Sequence, residues 1–167
     1  MRPALFERGG LKQEVTIRDI VTNYIYENTL KVLRLSGLDI LLALEQSATY
    51  FTVEAGELKV AESFLYPKAQ PYNYDMWEGI EYIFDISKPI GERVTKLTIN
   101  GEPIKMDEEF DVVMSSYRAT GAGNFDFLRN RPVVKEIQID ITELIADYIL
   151  KHPFIHATCN KNWQVTF

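Results

Sequence analysis

The chain has 167 residues, 46% of them hydrophobic and 25% charged, which suits one domain with a sizeable buried core. Its net charge of −6 excludes a broad surface for a nucleic-acid duplex or an anionic membrane, because such surfaces are basic. There is no apolar run long enough for a membrane span, and the single cysteine, Cys159, excludes an internal disulfide.

The opening "MRPALFERGG" lacks the apolar core of a signal peptide. Thr16, with Asp19 three positions on, predicts a helix start. Ile17, Ile20, Val21, Tyr24 and Ile25 then recur at helical spacing through residue 25. "TLKVLRLSG" (29–37) is β-prone and stops on Gly37, predicting a strand. Ser36 is placed to cap a second helix over 36–51, with Leu38, Leu41, Leu42 and Leu44 on its apolar face. "EAGELKV" fits a small hairpin. "YPKAQPYNYDMW" (66–77) carries too many rings for a disordered linker and reads as an ordered loop.

"GIEYIFDIS" (79–87) alternates as a strand does, and "VTKLTING" (94–101) predicts another, ended by the tight turn Asn100-Gly101. "FDVVMSSY" (110–117) predicts a further strand. Residues 138–153 predict a helix capped by Asp140, supported by Glu143 and ended by Pro153. Its apolar face is Ile141, Leu144, Ile145, Tyr148 and Ile149. "NWQVTF" (162–167) predicts a final strand. Interspersed helices and strands with hairpin connections give an α+β fold: one domain, a mixed or antiparallel sheet and packed helices.

Catalytic equipment is sparse. His152, His156 and Cys159 in "HPFIHATC" have a loose metal-like spacing, but a helix-end histidine ordinarily meets terminal carbonyls. Ser115 and Ser116 lie in no nucleophile elbow. Asp107, Glu108 and Glu109 read as a solvated turn. "TGAG" (120–123) lacks the Gly-Lys-Ser/Thr of a phosphate loop.

Binding equipment is better. "SSYRATGAGNFDFL" (115–128) sets Tyr117 just before Gly121 and Gly123, and glycine turns tightly at no steric cost. Tyr26 precedes Asn28, whose amide can both donate to and accept from a base edge. Such rings are either core aromatics or two faces for a flat heterocycle, and pattern alone leaves both open.

"YENTLKVLRLSGLDILLALEQSA" (26–48), "PYNYDMWEGIEYIFDIS" (71–87), "LTINGEPI" (97–104), "YRATGAGNFDF" (117–127) and "NWQV" (162–165) together resemble, in order, the C-terminal domain of the 5'-nucleotidase family. The nearest branch is that of the bifunctional 2',3'-cyclic-nucleotide 2'-phosphodiesterase/3'-nucleotidases. The likeness begins near Thr16. Residues 1–15 are therefore expected to be an extension or a remnant of an interdomain segment, and 16–167 the nucleotide-binding domain.

The resemblance implies a nucleoside or nucleotide ligand, of adenine type by preference, stacked between two aromatic rings. Tyr26 with Asn28 matches one side of that clamp, and Tyr117, followed by the loop of Gly121 and Gly123, matches the other. It also implies a separate N-terminal metallophosphatase domain as partner. That domain would hold the divalent metals and the catalytic residues, leaving this chain without cofactor and without activity alone. The parent enzyme would belong to the cell envelope or be secreted.

Two departures stand out. The family's Gly-Gly segment is followed by an arginine, whereas Leu11 follows Gly9 and Gly10 here; Arg8 or Arg18 is the candidate substitute. Where the 5'-nucleotidase branch has an acidic loop residue, this chain has Gly123 and then Asn124, and at this loop it resembles the phosphodiesterase branch better. Two alternatives accompany the main reading: a structural or interaction domain that has lost its ligand, and an independent hydrolase with an unrecognised site.

Overall fold

Residues 2–3 and 11–167 are described in the computed structural model. In chain order the elements are β1 (Arg2–Pro3), α1 (Ile17–Asn23), β2 (Leu30–Ser36), α2 (Gly37–Ala48), β3 (Phe51–Glu54), β4 (Glu57–Val60), β5 (Asp75–Met76), β6 (Glu81–Asp85), β7 (Val94–Ile99), β8 (Glu102–Pro103), β9 (Glu109–Ser115), α3 (Ser116–Ala119), β10 (Val133–Ile137), α4 (Ile141–Lys151) and β11 (Trp163–Thr166). Short 3-10 turns cover Glu62–Phe64, Pro71–Asn73 and Asp126–Leu128. The α+β class expected from the sequence is the one observed.

Two sheets carry the architecture. One is antiparallel with order β10-β2-β9. The other has order β11-β6-β7-β8 and is mixed, because β11 runs parallel to β6. The β3–β4 hairpin and the short β1–β5 pair complete the pairing among the described residues. Asn100 and Gly101 both take positive φ, 52° and 84°, closing the β7–β8 turn as their residue types predict.

Between the sheets lies α2. Ser36 accepts from the Asp39 N–H while the Asp39 carboxylate accepts from the Ser36 N–H, a complete capping box. The helix starts on Gly37, so this glycine opens a helix rather than ending a strand. A side chain there would lie 2.2 Å from the Lys105 carbonyl oxygen. Gly37 and Leu38 donate their N–H groups to the Glu108 and Met106 carbonyls, giving partners to donors that a helix start leaves free.

The buried face of α2 is Ile40, Ala43, Leu44 and Ala48. Leu38 and Leu42 are exposed instead, which corrects the expected apolar face: a leucine-rich helix leaves the inward side to be chosen by the sheets. Further core comes from Leu33 and Leu35 of β2 and from a ring cluster of Tyr50, Phe64, Tyr74, Tyr82, Phe84 and Phe125. Trp163 of β11 stacks on Tyr82, centroids 6.1 Å apart and planes 9° apart.

At one side α1 packs against α4. The expected caps hold: Thr16 and Asp19 form a second capping box, and Asp140 accepts from the Thr142 N–H. The expected apolar stripe of α4 is only partly covered. Ile141, Leu144, Ile145 and Ile149 are half-buried, Tyr148 is exposed, and no residue of α4 is fully buried.

Candidate functional site

Tyr26 lies between the end of α1 and the start of β2, in a segment tied down by its backbone. The Asn28 N–H donates to the Tyr26 carbonyl at 2.8 Å, and the Asn28 carbonyl accepts from the Ile141 N–H at 2.8 Å. Thr142 adds a hydroxyl bond to the Tyr24 carbonyl at 3.1 Å. The next residue, Thr29, is joined to Ser116 twice. Its N–H donates to the Ser116 hydroxyl at 3.1 Å, and its carbonyl accepts from the Ser116 N–H at 2.8 Å. Ser116 immediately precedes Tyr117, so the two tyrosine segments run side by side where β2 meets β9.

Both rings reach solvent: Tyr26 is 61% exposed and Tyr117 41%. Tyr117 stands in α3 rather than at the end of a strand. β9 stops at Ser115 because its hydroxyl caps the short helix, accepting from the Arg118 N–H at 3.2 Å. Partial burial pushes the Tyr117 phenol pKa up, with Arg118 opposing and the phenols of Tyr72 and Tyr26 among the neighbours that raise it.

Beneath Tyr117, Arg118 is 2% exposed. Its Nε lies 2.6 Å from Oδ2 of the equally buried Asp75. Among the described residues neither atom has a partner in hydrogen-bond geometry, so the contact between them is an ion pair rather than a directed bond. The guanidinium lies over the Phe125 ring at 4.0 Å, and Nη1 donates to the Ala122 carbonyl. Burial pushes the Asp75 carboxyl up, against the pull of Arg118.

Gly121 and Gly123 take φ of +83° and +71°, the left-handed region that glycine enters without penalty. Gly123 also needs its bareness. An added Cβ would lie 2.4 Å from both Arg118 Nη1 and Asn73 Oδ1.

A pocket of about 310 Å³ opens beside Tyr117, lined by Ser63, Phe64, Gln70, Asn73, Tyr117, Gly123 and Asn124. A larger groove of about 850 Å³ runs between the β3–β4 hairpin and residues 62–71, and it is mainly apolar. The smaller pocket is the better candidate, because polar groups converge there beside an exposed ring.

The model of the 5'-nucleotidase C-terminal domain matches residues 4–130. The chain belongs to the 5'-nucleotidase C-terminal domain family. Among solved structures, this domain is similar to a Staphylococcus aureus protein assigned to the 5'-nucleotidases, crystallised with alpha-ketoglutarate. That match has 36% identity and a TM-score of 0.93, covering 99% of this chain and 32% of the other. Among curated relatives, the 2',3'-cyclic-nucleotide 2'-phosphodiesterase/3'-nucleotidase of Salmonella typhimurium is 31% identical over 171 residues, covering 92% of this chain and 26% of that protein. The trifunctional nucleotide phosphoesterase protein YfkN of Bacillus subtilis is 26% identical over 164 residues, covering 91% of this chain and 11% of its own length. The domain thus spans a third or less of these relatives.

Other residues singled out in the sequence fall elsewhere. His152, His156 and Cys159 are exposed, and His152 stacks on Tyr148 and bonds its carbonyl through Nδ1 at 2.9 Å. Among the described residues no three His, Cys, Asp or Glu side chains converge as a metal site, so a dinuclear metal centre does not fit them. Asp107, Glu108 and Glu109 are exposed, as is Arg18. Arg8, Gly9 and Gly10 lie outside the described residues, and Leu11 is exposed.

Tyr74 and Trp77 are buried in the core, whereas Tyr72 is half-buried near Tyr117. Gln70, Asn73 and the Asp75–Arg118 pair were not identifiable as site residues from sequence. For Gln70, Asn73 and Asp75 the one signal is the ring density of "YPKAQPYNYDMW" around them.

Proposed function

We propose that this domain recognises the nucleoside part of the substrate of a metal-dependent 2',3'-cyclic-nucleotide 2'-phosphodiesterase/3'-nucleotidase. The base stacks between Tyr26 and Tyr117, Asn28 bonds its edge, and Gly121 and Gly123 let the backbone approach the ligand. An adenine-type base is favoured. The phosphate is handed to a metallophosphatase domain elsewhere in the parent protein, which belongs to the cell envelope or is secreted. That domain supplies the metals and the hydrolytic chemistry, and this chain alone does not turn over substrate.

The observation that carries the reading is the pairing of Thr29 with Ser116. It brings two solvent-exposed rings from opposite halves of the chain to one end of the β2–β9 ladder. Exposed rings on neighbouring rigid segments serve stacking better than they serve a core.

Calorimetric titration of the chain with adenosine tests this. Each stacking face is worth about 1–3 kcal/mol, so Tyr26→Ala and Tyr117→Ala should each weaken binding roughly 5- to 150-fold. Both rings being exposed, unfolding free energies should change by less than about 1 kcal/mol. Absence of binding at millimolar adenosine, or binding indifferent to both substitutions, would sink the proposal.

A further inference from the structure

The pocket beside Tyr117 contains a buried amide with an unused acceptor. Asn73 is 8% exposed. Its Nδ2 donates to Gln70 Oε1 at 2.8 Å, while its Oδ1 has no hydrogen-bond partner among the described residues. An acceptor held this way is costly, since a buried polar atom without a bond forfeits its hydration. Asn73 is held in place by its neighbours: its own N–H donates to the Gln70 carbonyl at 3.0 Å, and Gly123 packs directly over Oδ1.

Asn124, which lines the same pocket, takes φ of +69°, a left-handed turn conformation that asparagine adopts readily. Among the described residues none that lines the pocket carries a charge, and these groups suit a neutral ligand group that donates and accepts hydrogen bonds better than they suit a phosphate.

We infer that Asn73, oriented by Gln70 and sharing the pocket with Asn124, is a specificity-determining residue that accepts a hydrogen bond from an uncharged donor of the ligand stacked on Tyr117. The donor is an exocyclic amine of the base or a hydroxyl of the sugar. This rests on the proposed nucleoside-binding role and adds to it a second contact, at right angles to the stack, that fixes which way the nucleoside lies. The ring faces tolerate any flat heterocycle, so discrimination requires such an edge contact.

The test is a set of double-mutant cycles by calorimetry on the whole chain. Adenosine is compared with purine riboside, which lacks the exocyclic amine, and with 2'-deoxyadenosine and 3'-deoxyadenosine, which each lack one hydroxyl. The variants are Asn73→Leu, Gln70→Ala and Asn124→Gly; the last keeps the left-handed backbone at ease. One of the three analogues is expected to bind wild type about tenfold more weakly than adenosine, the scale of one hydrogen bond. Asn73→Leu should lose a similar factor for adenosine and nothing further for that analogue.

The analogue that shows this loss of coupling identifies the donor as amine or hydroxyl. Losses that simply multiply for every analogue, or full-strength adenosine binding by Asn73→Leu, would overturn the inference while leaving the stacking role intact. Failure of wild type to bind any nucleoside would overturn both. Where circular dichroism shows Asn73→Leu unfolded, Gln70→Ala and Asn124→Gly carry the same cycles. Strictly multiplicative losses in both then overturn the inference.

Discussion

Gly101 and Gly123 share a backbone conformation and differ in what surrounds them. Gly101, at φ +84°, has no atom of the described residues within 4 Å of the place a Cβ would take; Gly123 has a guanidinium nitrogen and an amide oxygen at 2.4 Å. Gly101→Ala is expected to cost about 1–2 kcal/mol, the left-handed penalty alone. Gly123→Ala should cost roughly twice that or more, because the Asn73 and Arg118 groups must also move; urea denaturation measures both. Arg118→Met should destabilise by about 3–5 kcal/mol, because it strands the buried Asp75 carboxyl without its counter-charge, whereas Asp75→Asn keeps the neutral form that burial favours and should cost less. The Asp75 carboxyl is raised above its ordinary 3.8 in the folded state. The folded chain therefore holds that proton more tightly than the unfolded one. Its contribution to stability is greatest below the ordinary value and falls as pH rises through the raised one. The Asn variant should lack this part of the pH slope, which melts recorded across the acid range would show.

At the scale of elements, the parts legible in the sequence were those fixed locally. Thr16 with Asp19, and Ser36 with Asp39, are capping boxes that need no tertiary partner. β6 declares itself by alternation, with Tyr82 and Phe84 inward. The short helix holding Tyr117 was hidden, because "FDVVMSSY" is β-prone to its end and only the Ser115 cap redirects the backbone. α4 was legible as a helix but not as a partly covered one, since amphipathic spacing marks a face without saying what lies against it. This difference is measurable. With a buried face on α2 and none on α4, amides of α4 should exchange with deuterium well before those of α2. Equal protection would mean that α4 is held by more than its contact with α1.

At the scale of the whole molecule, distant segments are joined by a few buried polar groups. Glu45 of α2 accepts from the Gly91 N–H at 3.1 Å and the Val94 N–H at 2.7 Å, fastening the helix to the start of β7. Glu45→Ala leaves two donors unpaired and should cost about 2–4 kcal/mol in chemical denaturation; a cost under 1 kcal/mol would show that water replaces the carboxylate. The site has the same non-local character. Tyr26 and Tyr117 could be picked out along the chain, because family-like blocks surround them. Gln70 and Asn73 could not, since an amide in a proline-rich loop resembles any turn residue until folding sets it beside Gly123.

The parallel pairing of β11 with β6 also has a consequence for biosynthesis. Trp163 lies beside Tyr82 across some eighty positions of chain. A ribosome releases β6 long before its neighbour on that side exists, and until then the strand shows an open, hydrogen-bonding flank. The nascent polypeptide can join β6 to β7 early, but it must keep that flank from other chains until the final strand emerges.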